Sequence, residues 1–465
     1  MNLHELRILL LNNKKCSQGL AIMGQENVET SEGQSNMRKV AYTALAGTSI
    51  EWYDFFLYGA AAALIFPTTF FGEMAPATAL ILSLLTFAAG FIARPIGGII
   101  FGHFGDRVGR KKTLVMALLL MGISSTLIGL LPTYAMIGVA APILLTLLRF
   151  AQGLAIGGQW GGAMLLVTES APSNKRGYYG AFAQAGAPIG VILANLALIL
   201  TSALVSEEFF YTWGWRIPFL ASAVLIGISM YIQINLEDTQ AFKALEAERN
   251  SNQTSGEVTI QRSPIFEAIR RYPKTIALAS GAFLSVQVTF YILIAFLLAY
   301  GVTSANMPRN DMLAAVLIGS AIMVPVQFMF SSYSDRHGRK GIFMLGAILS
   351  GLWAFAIFPV VDSGNFWLVV LAISGGLIFL AMMYGPQAAF FTELFSTEVR
   401  YSGATLGYQF GAILGGAFAP TIAVKLWTDF DVFWVSVYMA SAAFLTLISV
   451  MALTETVGTD LNNTD

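Results

Sequence analysis

The sequence predicts an all-α polytopic membrane protein, with twelve transmembrane helices in two six-helix, pseudo-symmetric halves. Three observations predict it: a strongly apolar composition, twelve apolar segments of bilayer-crossing length, and charged motifs that recur at matching spacing. Over 465 residues the chain is 56% hydrophobic and only 11% charged, with a mean hydropathy of +0.67. Soluble domains carry about 25% charged residues, so this composition belongs to a chain dissolved in lipid. Only helices and closed barrels satisfy their backbone inside a bilayer. The long continuous apolar runs here fit helices, because barrel strands alternate over about ten residues. A formal net charge of −1 gives no electrostatic footprint for nucleic acid. The single cysteine, Cys16, excludes an internal disulfide and a cysteine-rich metal site.

Taken in order, residues 1–38 read as a disordered polar tail whose apolar run at 8–11 is too short to span and lacks a cleavage site. Candidate spans follow at 40–67, 77–104, 112–132, 139–170, 177–204 and 215–236, within a first half of 39–236. A linker at 237–274 contains the polar run 250–256 and reads as a solvated tether. The second half, 275–453, holds spans at 275–303, 311–334, 340–361, 364–392, 401–426 and 431–453, and a short tail, 454–465, follows. Each span has about the 20 residues or more that cross a bilayer. One side collects Arg38, Lys39, Arg107, Arg110, Lys111, Lys112, Lys175, Arg176, Arg336, Arg339, Lys340, Arg400 and the linker; the other receives Arg216, Arg309 and Lys425. The positive-inside rule then places both termini and the linker in the cytoplasm.

The halves match in detail. Asp106-Arg-Val-Gly-Arg-Lys111, between the second and third spans, returns as Asp335-Arg-His-Gly-Arg-Lys340 between the eighth and ninth. Glu169, closing the fourth span, precedes Arg176 by the same interval at which Glu393, closing the tenth, precedes Arg400. This is a parallel internal repeat, an arrangement used by secondary transporters. Gly102, Gly105, Asp106, Arg107, Gly109, Arg110, Asp335, Arg336, Arg339, Glu169, Arg176, Glu393 and Arg400 are therefore candidates for a cytoplasmic gate that latches one half to the other. Arg107 and the neighbouring lysines also suit anionic lipid headgroups.

At this point the chain resembles the major facilitator superfamily, and within it the metabolite:proton symporter family of bacterial carriers. The resemblance rests on Gly47-Thr-Ser-Ile-Glu-Trp-Tyr-Asp-Phe-Phe-Leu-Tyr-Gly59, on Ala93-Arg-Pro-Ile-Gly97 leading into the basic motif, on Arg149-Phe-Ala-Gln-Gly153, on Gly157-Gly-Gln-Trp-Gly-Gly-Ala163, on Trp213-Gly-Trp-Arg-Ile-Pro-Phe219, and on Glu393-Leu-Phe-Ser-Thr-Glu-Val-Arg-Tyr-Ser-Gly403. It implies a bacterial inner-membrane symporter; members of the family carry shikimate, 2-oxoglutarate, citrate, and proline or betaine. Two departures stand out. Gln159 occupies a position where the family usually has glutamate, and the long coiled-coil tail of the osmosensing proline/betaine branch has no counterpart in 454–465.

Ionisable side chains inside a span are costly and are functional candidates by default. Four lie away from span ends, all in the first half: Glu51, Asp54, Arg94 and Arg149. At about 1.5 Å per residue, Asp54 on an ascending span and Arg149 on a descending one reach nearly the same depth. Forming an Asp54–Arg149 pair favours the ionised carboxylate, and breaking it favours the protonated one, so Asp54 is the leading proton-coupling residue and Arg149 its modulator. The competing reading is a static pair that fixes helix packing. Glu51, one turn before Asp54, shares its face and joins the coupling candidates. Arg94 lies lower and either snorkels to the interface or faces the cavity, where its planar fork suits a carboxylate.

The second half offers uncharged hydrogen-bonding groups at depth. Gln287, Tyr384 and Gln409 are the substrate-binding candidates there, with Arg94 from the first half. Gly157, Gly158, Gly161 and Gly162 read as close helix packing. The three histidines, His4, His103 and His337, are scattered, and the glycines of 102–109 lack the Gly-Lys-Ser/Thr ending of an ATP-binding loop. The expectation is therefore no enzyme, no cofactor and no metal, with a proton as coupling ion and a monomer in the lipid bilayer. The expected activity is proton-coupled symport of a small polar metabolite, an organic acid such as shikimate or a di- or tricarboxylate, by alternating access. The alternatives are a zwitterion symporter of the proline/betaine type, a non-transporting membrane sensor and a drug exporter.

Overall fold

The computed structural model describes residues 37–108, 110–157, 164, 167–235, 264–396 and 399–459, with side chains at 102–112, 114, 229, 232–235 and 264–266 outside that description. Twelve long helical segments run through the described residues. Helix α1 covers 37–64, α2 Pro76–Val108, α3 Arg110–Leu130, α4 Ala140–Gly157, α5 Arg176–Leu204 and α6 Arg216–Asn235. The second half follows with α7 at Pro273–Thr303, α8 at Arg309–His337, α9 at Arg339–Val361, α10 at Phe366–Glu393, α11 at Arg400–Asp429 and α12 at Val432–Ala452. Among the described residues, nine of these are long and apolar enough to cross a bilayer unaided, and α6 makes a tenth if counted with Glu207–Gly214, from which it bends by 51°. Part of the expected linker is helical too, at Pro264–Arg271.

Helix ends fall within a few residues of the expected spans, except that α4 is described only to Gly157 of an expected 139–170, residues 158–163 and 165–166 lying outside the described residues, and with one informative difference. The basic motif is not a loop. Helix α2 runs to Val108 and α3 begins at Arg110, just as α8 ends at His337 and α9 begins at Arg339. A helix need not stop where its apolar residues stop, because backbone hydrogen bonds continue into the headgroup layer. In the second copy the whole reversal falls on Gly338, at φ 99°, a conformation that favours glycine. For the first copy, Gly109 and the side chains of Gly102, Gly105, Asp106, Arg107 and Arg110 lie outside the described residues.

Close packing follows small residues. Helix α2 lies against α4 with almost nothing between the backbones: a Cβ on Gly97 would sit 2.0 Å from the Leu154 carbonyl oxygen, and one on Gly157 1.9 Å from that of Arg94. This agrees with the packing reading of Gly157; Gly158, Gly161 and Gly162 lie outside the described residues. In each half the same pairs recur: α2 on α4 and α3 on α6 in the first, α8 on α10 and α9 on α12 in the second. The halves meet where α5 lies against α8 and α10, and where α2 lies against α11. Two wide π turns interrupt α7 at Ile292–Phe296 and α11 at Ile413–Ala417. The second brings Gly416 so close to Phe91 and Tyr291 that a Cβ there would lie 2.9 Å from either ring.

Candidate functional site

The charged centre of the first half is assembled from α1, α2 and α4. Asp54 is buried on α1, and Arg149 is fully buried on α4. Counted along their helices, they lie about 15 and 14 Å from the same membrane face, as their depths in the sequence predict. They do not pair directly. Asp54 Oδ1 accepts a short hydrogen bond from Ser222 of α6, and its Oδ2 has no hydrogen-bond partner. Arg149 Nη1 donates to Gln152 Oε1 at 3.0 Å, and Gln152 Nε2 to the Ser125 hydroxyl at 2.6 Å, which faces Asp54 in turn. The arginine is drawn instead onto rings: its guanidinium carbon lies 4.1, 4.3 and 4.8 Å from the centroids of Phe55, Tyr58 and Phe87. Gly90 makes the room, since a Cβ there would sit 2.7 Å from Arg149 Nε.

Arg94 corrects the expectation that it could snorkel. Because α2 continues to Val108, Arg94 lies about 21 Å from that end and is 1% exposed. Its guanidinium carbon lies 4.2 Å from the centroid of Phe55, 4.5 Å from Phe91 and 5.2 Å from Trp52. Its Nε and Nη2, like those of Arg149, have no hydrogen-bond partner. Two guanidiniums therefore share the Phe55 ring, neither bonded to a carboxylate. Glu51 is only half-buried.

Between the halves lies a small cavity of about 10 Å³, room for about one water. Trp52 and Phe56 line it from α1; Gln287, Phe290 and Tyr291 from α7; Tyr384 and Tyr408 from α10 and α11. Two of the expected substrate residues, Gln287 and Tyr384, are thus on its wall, and Gln287 Nε2 has no partner. Arg94 stands immediately behind Trp52, and Gln409 is buried without lining the cavity. Sequence reading missed Trp52, Phe56, Ser125, Gln152 and Ser222. Trp52 and Phe56 carried a signal as members of the 47–59 motif, and Gln152 as the residue one helical turn after Arg149.

At the end of the bundle carrying the linker, here called the linker end, a second set of charges joins the halves. Asp335 at the end of α8 accepts from the backbone N–H groups of Gly177 and Tyr178, at 2.7 and 2.8 Å, capping the N-terminus of α5 from the other half. Arg339 bridges Asp335 at 2.7 Å and Glu393 at 3.1 Å, with all three side chains buried. Glu169 pairs with Arg400 across the halves at 3.3 Å. The two repeat-related glutamates are thus satisfied by different arginines. Arg176 donates to the carbonyl of Thr459 at 2.7 Å, and Arg336 is exposed. At the opposite, far end, the halves meet through Ser202 and Asn310 at 3.0 Å and through Arg309, whose guanidinium carbon lies 4.0 Å from the Phe210 centroid.

Comparison with known proteins agrees with this geometry. Residues 44–406 match the Major Facilitator Superfamily. The chain is 42% identical to an inner membrane metabolite transport protein of Escherichia coli, covering 91% of this chain and 95% of the relative. It is 38% identical to the shikimate transporter of the same organism, over 90% and 95%, and 32% identical to its proline/betaine transporter, over 84% and 78%. In fold it is similar to the E. coli xylose transporter in a partially occluded inward-open conformation, with a TM-score of 0.71 at 16% identity, covering 92% of this chain and 100% of that one. The chain therefore belongs to the major facilitator superfamily, as a multi-pass bacterial inner-membrane secondary transporter of metabolites and not an enzyme.

Proposed function

We propose that the protein is a proton-coupled symporter of a small organic acid, working by alternating access with its linker end in the cytoplasm. The observation that carries the acid is Arg94: a fully buried guanidinium beside the central cavity, with Nε and Nη2 unbonded. An unpaired buried charge is strongly unfavourable, and a planar fork with two free donors is matched by a carboxylate. The aromatic walls from Trp52, Phe56 and Tyr291 suit the apolar body of such an acid, and a relative at 38% identity carries shikimate by name.

Coupling is assigned to Asp54. A protonated Asp54 bonded to Ser222 and an ionised Asp54 paired with Arg149 differ by one proton, and the Gln152–Ser125 bridge connects the two arrangements. Protonation of Asp54 removes the carboxylate's pull on Arg149 and leaves that arginine's positive charge on the Phe55 ring beside Arg94, which favours an acid anion there, so that proton and acid bind together. A second reading is a zwitterion carrier, because the aromatic cavity wall also suits a quaternary ammonium and a relative at 32% identity carries proline and betaine by name.

The test is uptake of a panel of labelled organic acids and betaines into proteoliposomes, by the native protein and by Arg94→Gln. The expected outcome is uptake of an acid whose half-saturation rises about thirtyfold or more in the variant, the lower range for removing one partner of a buried charge pair. Uptake of betaines alone, or an acid half-saturation that Arg94→Gln leaves unchanged, sinks the assignment.

A further inference from the structure

We infer that residues 453–459, the segment following α12, form a strap that positions the linker-end gate and holds it shut. After α12 the chain turns extended at Leu453 and crosses beneath the start of α9. Glu455 accepts there from the backbone N–H of Arg339 at 2.9 Å and of Lys340 at 3.0 Å. Its carboxylate fills the space over Gly338, where a Cβ would come within 2.7 Å of Oε2. That glycine is fixed twice over, by its φ of 99° and by this contact. Lys340 closes the loop from the other side, its Nζ donating to the carbonyls of Met451 and Leu453 at 3.1 and 2.5 Å.

The next residues reach the gate itself. Thr456 is buried and its hydroxyl donates to Glu393 Oε2 at 2.7 Å, the carboxylate whose other oxygen pairs with Arg339. Three residues on, the Thr459 carbonyl accepts from Arg176 Nη1 at 2.7 Å. Arg176 belongs to the first half and everything else named here to the second. The strap thus orients Arg339 from its backbone, orients Glu393 from its side chain, and crosses to the opposing half. Only the Arg176–Thr459 contact is itself lost when α5 separates from α8; the others favour the closed linker end by holding Arg339 where it orients Asp335, the carboxylate that caps α5 from the other half.

The inference goes beyond the transport reading and does not depend on which substrate is carried. The test measures maleimide labelling of a buried reporter cysteine, in a background where Cys16 is serine. Ala388→Cys reports the linker end, because Ala388 packs so near Gly180 of the other half that a Cβ on that glycine would sit 3.2 Å from the Ala388 Cβ. Ala419→Cys, fully buried in the far-end half of α11, reports the opposite side. Glu455→Ala is expected to raise labelling at 388 at least fivefold while labelling at 419 stays level or falls. Thr456→Val is expected to act in the same direction and Thr456→Ser to restore the native rate. Unchanged labelling at 388 in both Glu455→Ala and Thr456→Val overturns the strap. So does a parallel rise at both reporters, which would mark general loosening rather than a gate.

Discussion

Arg94 and Arg149 place two guanidiniums about one aromatic ring with no carboxylate bonded to either, and this sets the chemistry of the centre. Stacking on Phe55, Tyr58 and Trp52 supplies part of what water would give, about 2 kcal/mol for a desolvated cation–π contact. That is smaller than the effective penalty of several kcal/mol for burying an ion, so the site is poised for an anion. At the other extreme of depth, Glu455 is the reverse case of a carboxylate fully answered. Burial pushes its carboxyl upward, but the N–H groups of Arg339, Lys340, Val457 and Thr456 outweigh this and hold it below the ordinary glutamate range. A carboxylate held low contributes stability that is complete above its unfolded value, about 4.3, and is lost as the pH falls through the folded value. The labelling rate at a linker-end reporter, divided at each pH by that of the same cysteine in denatured protein to remove the thiolate dependence, is therefore expected to stay flat from pH 7 down to about 5 and to rise only in stronger acid. A rise centred near neutral pH would show that some other group governs the strap.

Helices were the most legible scale. An apolar run of about twenty residues can do little else in a bilayer, so every span was readable, and the repeated Asp-Arg-x-Gly-Arg-Lys motif located the hinge between α8 and α9. What the chain did not disclose was how far each helix runs past its apolar part. That error made Arg94 look shallow, when α2 in fact carries it to mid-depth. Partners were equally hidden: Ser222 is a single hydroxyl in an apolar stretch, Ser125 is one of three in a row with Ser124 and Thr126, and nothing in their spacing points to Asp54. Glycine spacing was readable because its cause is local. With Cβ space at Gly157 limited to 1.9 Å from the Arg94 carbonyl, Gly157→Ala must push α4 away from α2. Thermal unfolding in detergent is expected to show a loss of about 1–3 kcal/mol, the usual range for overpacking, and impaired uptake with it. Native stability and native uptake in that variant would contradict the tight α2–α4 seam.

Across the whole molecule, closure is built differently at the two ends. Among the described residues, the linker end is held by Asp335 on the N-terminus of α5, by the Glu169–Arg400 pair and by the strap, whereas a Ser202–Asn310 hydrogen bond and an arginine on an aromatic ring cross at the far end. Contacts thus join the halves on both sides of a central cavity of about 10 Å³, and an alternating-access carrier breaks one set at a time. Transport then requires the two sets of contacts to break in alternation, and in the proposed coupling Asp54 decides when by gaining or losing its proton. The most direct measurement compares net uptake driven by an imposed proton gradient with exchange of labelled for unlabelled substrate at equal pH, in native protein and in Asp54→Asn. The account predicts that native protein accumulates substrate when the outside is acidic, and that Asp54→Asn exchanges substrate but no longer accumulates it. Gradient-driven accumulation by Asp54→Asn at the native level would contradict it.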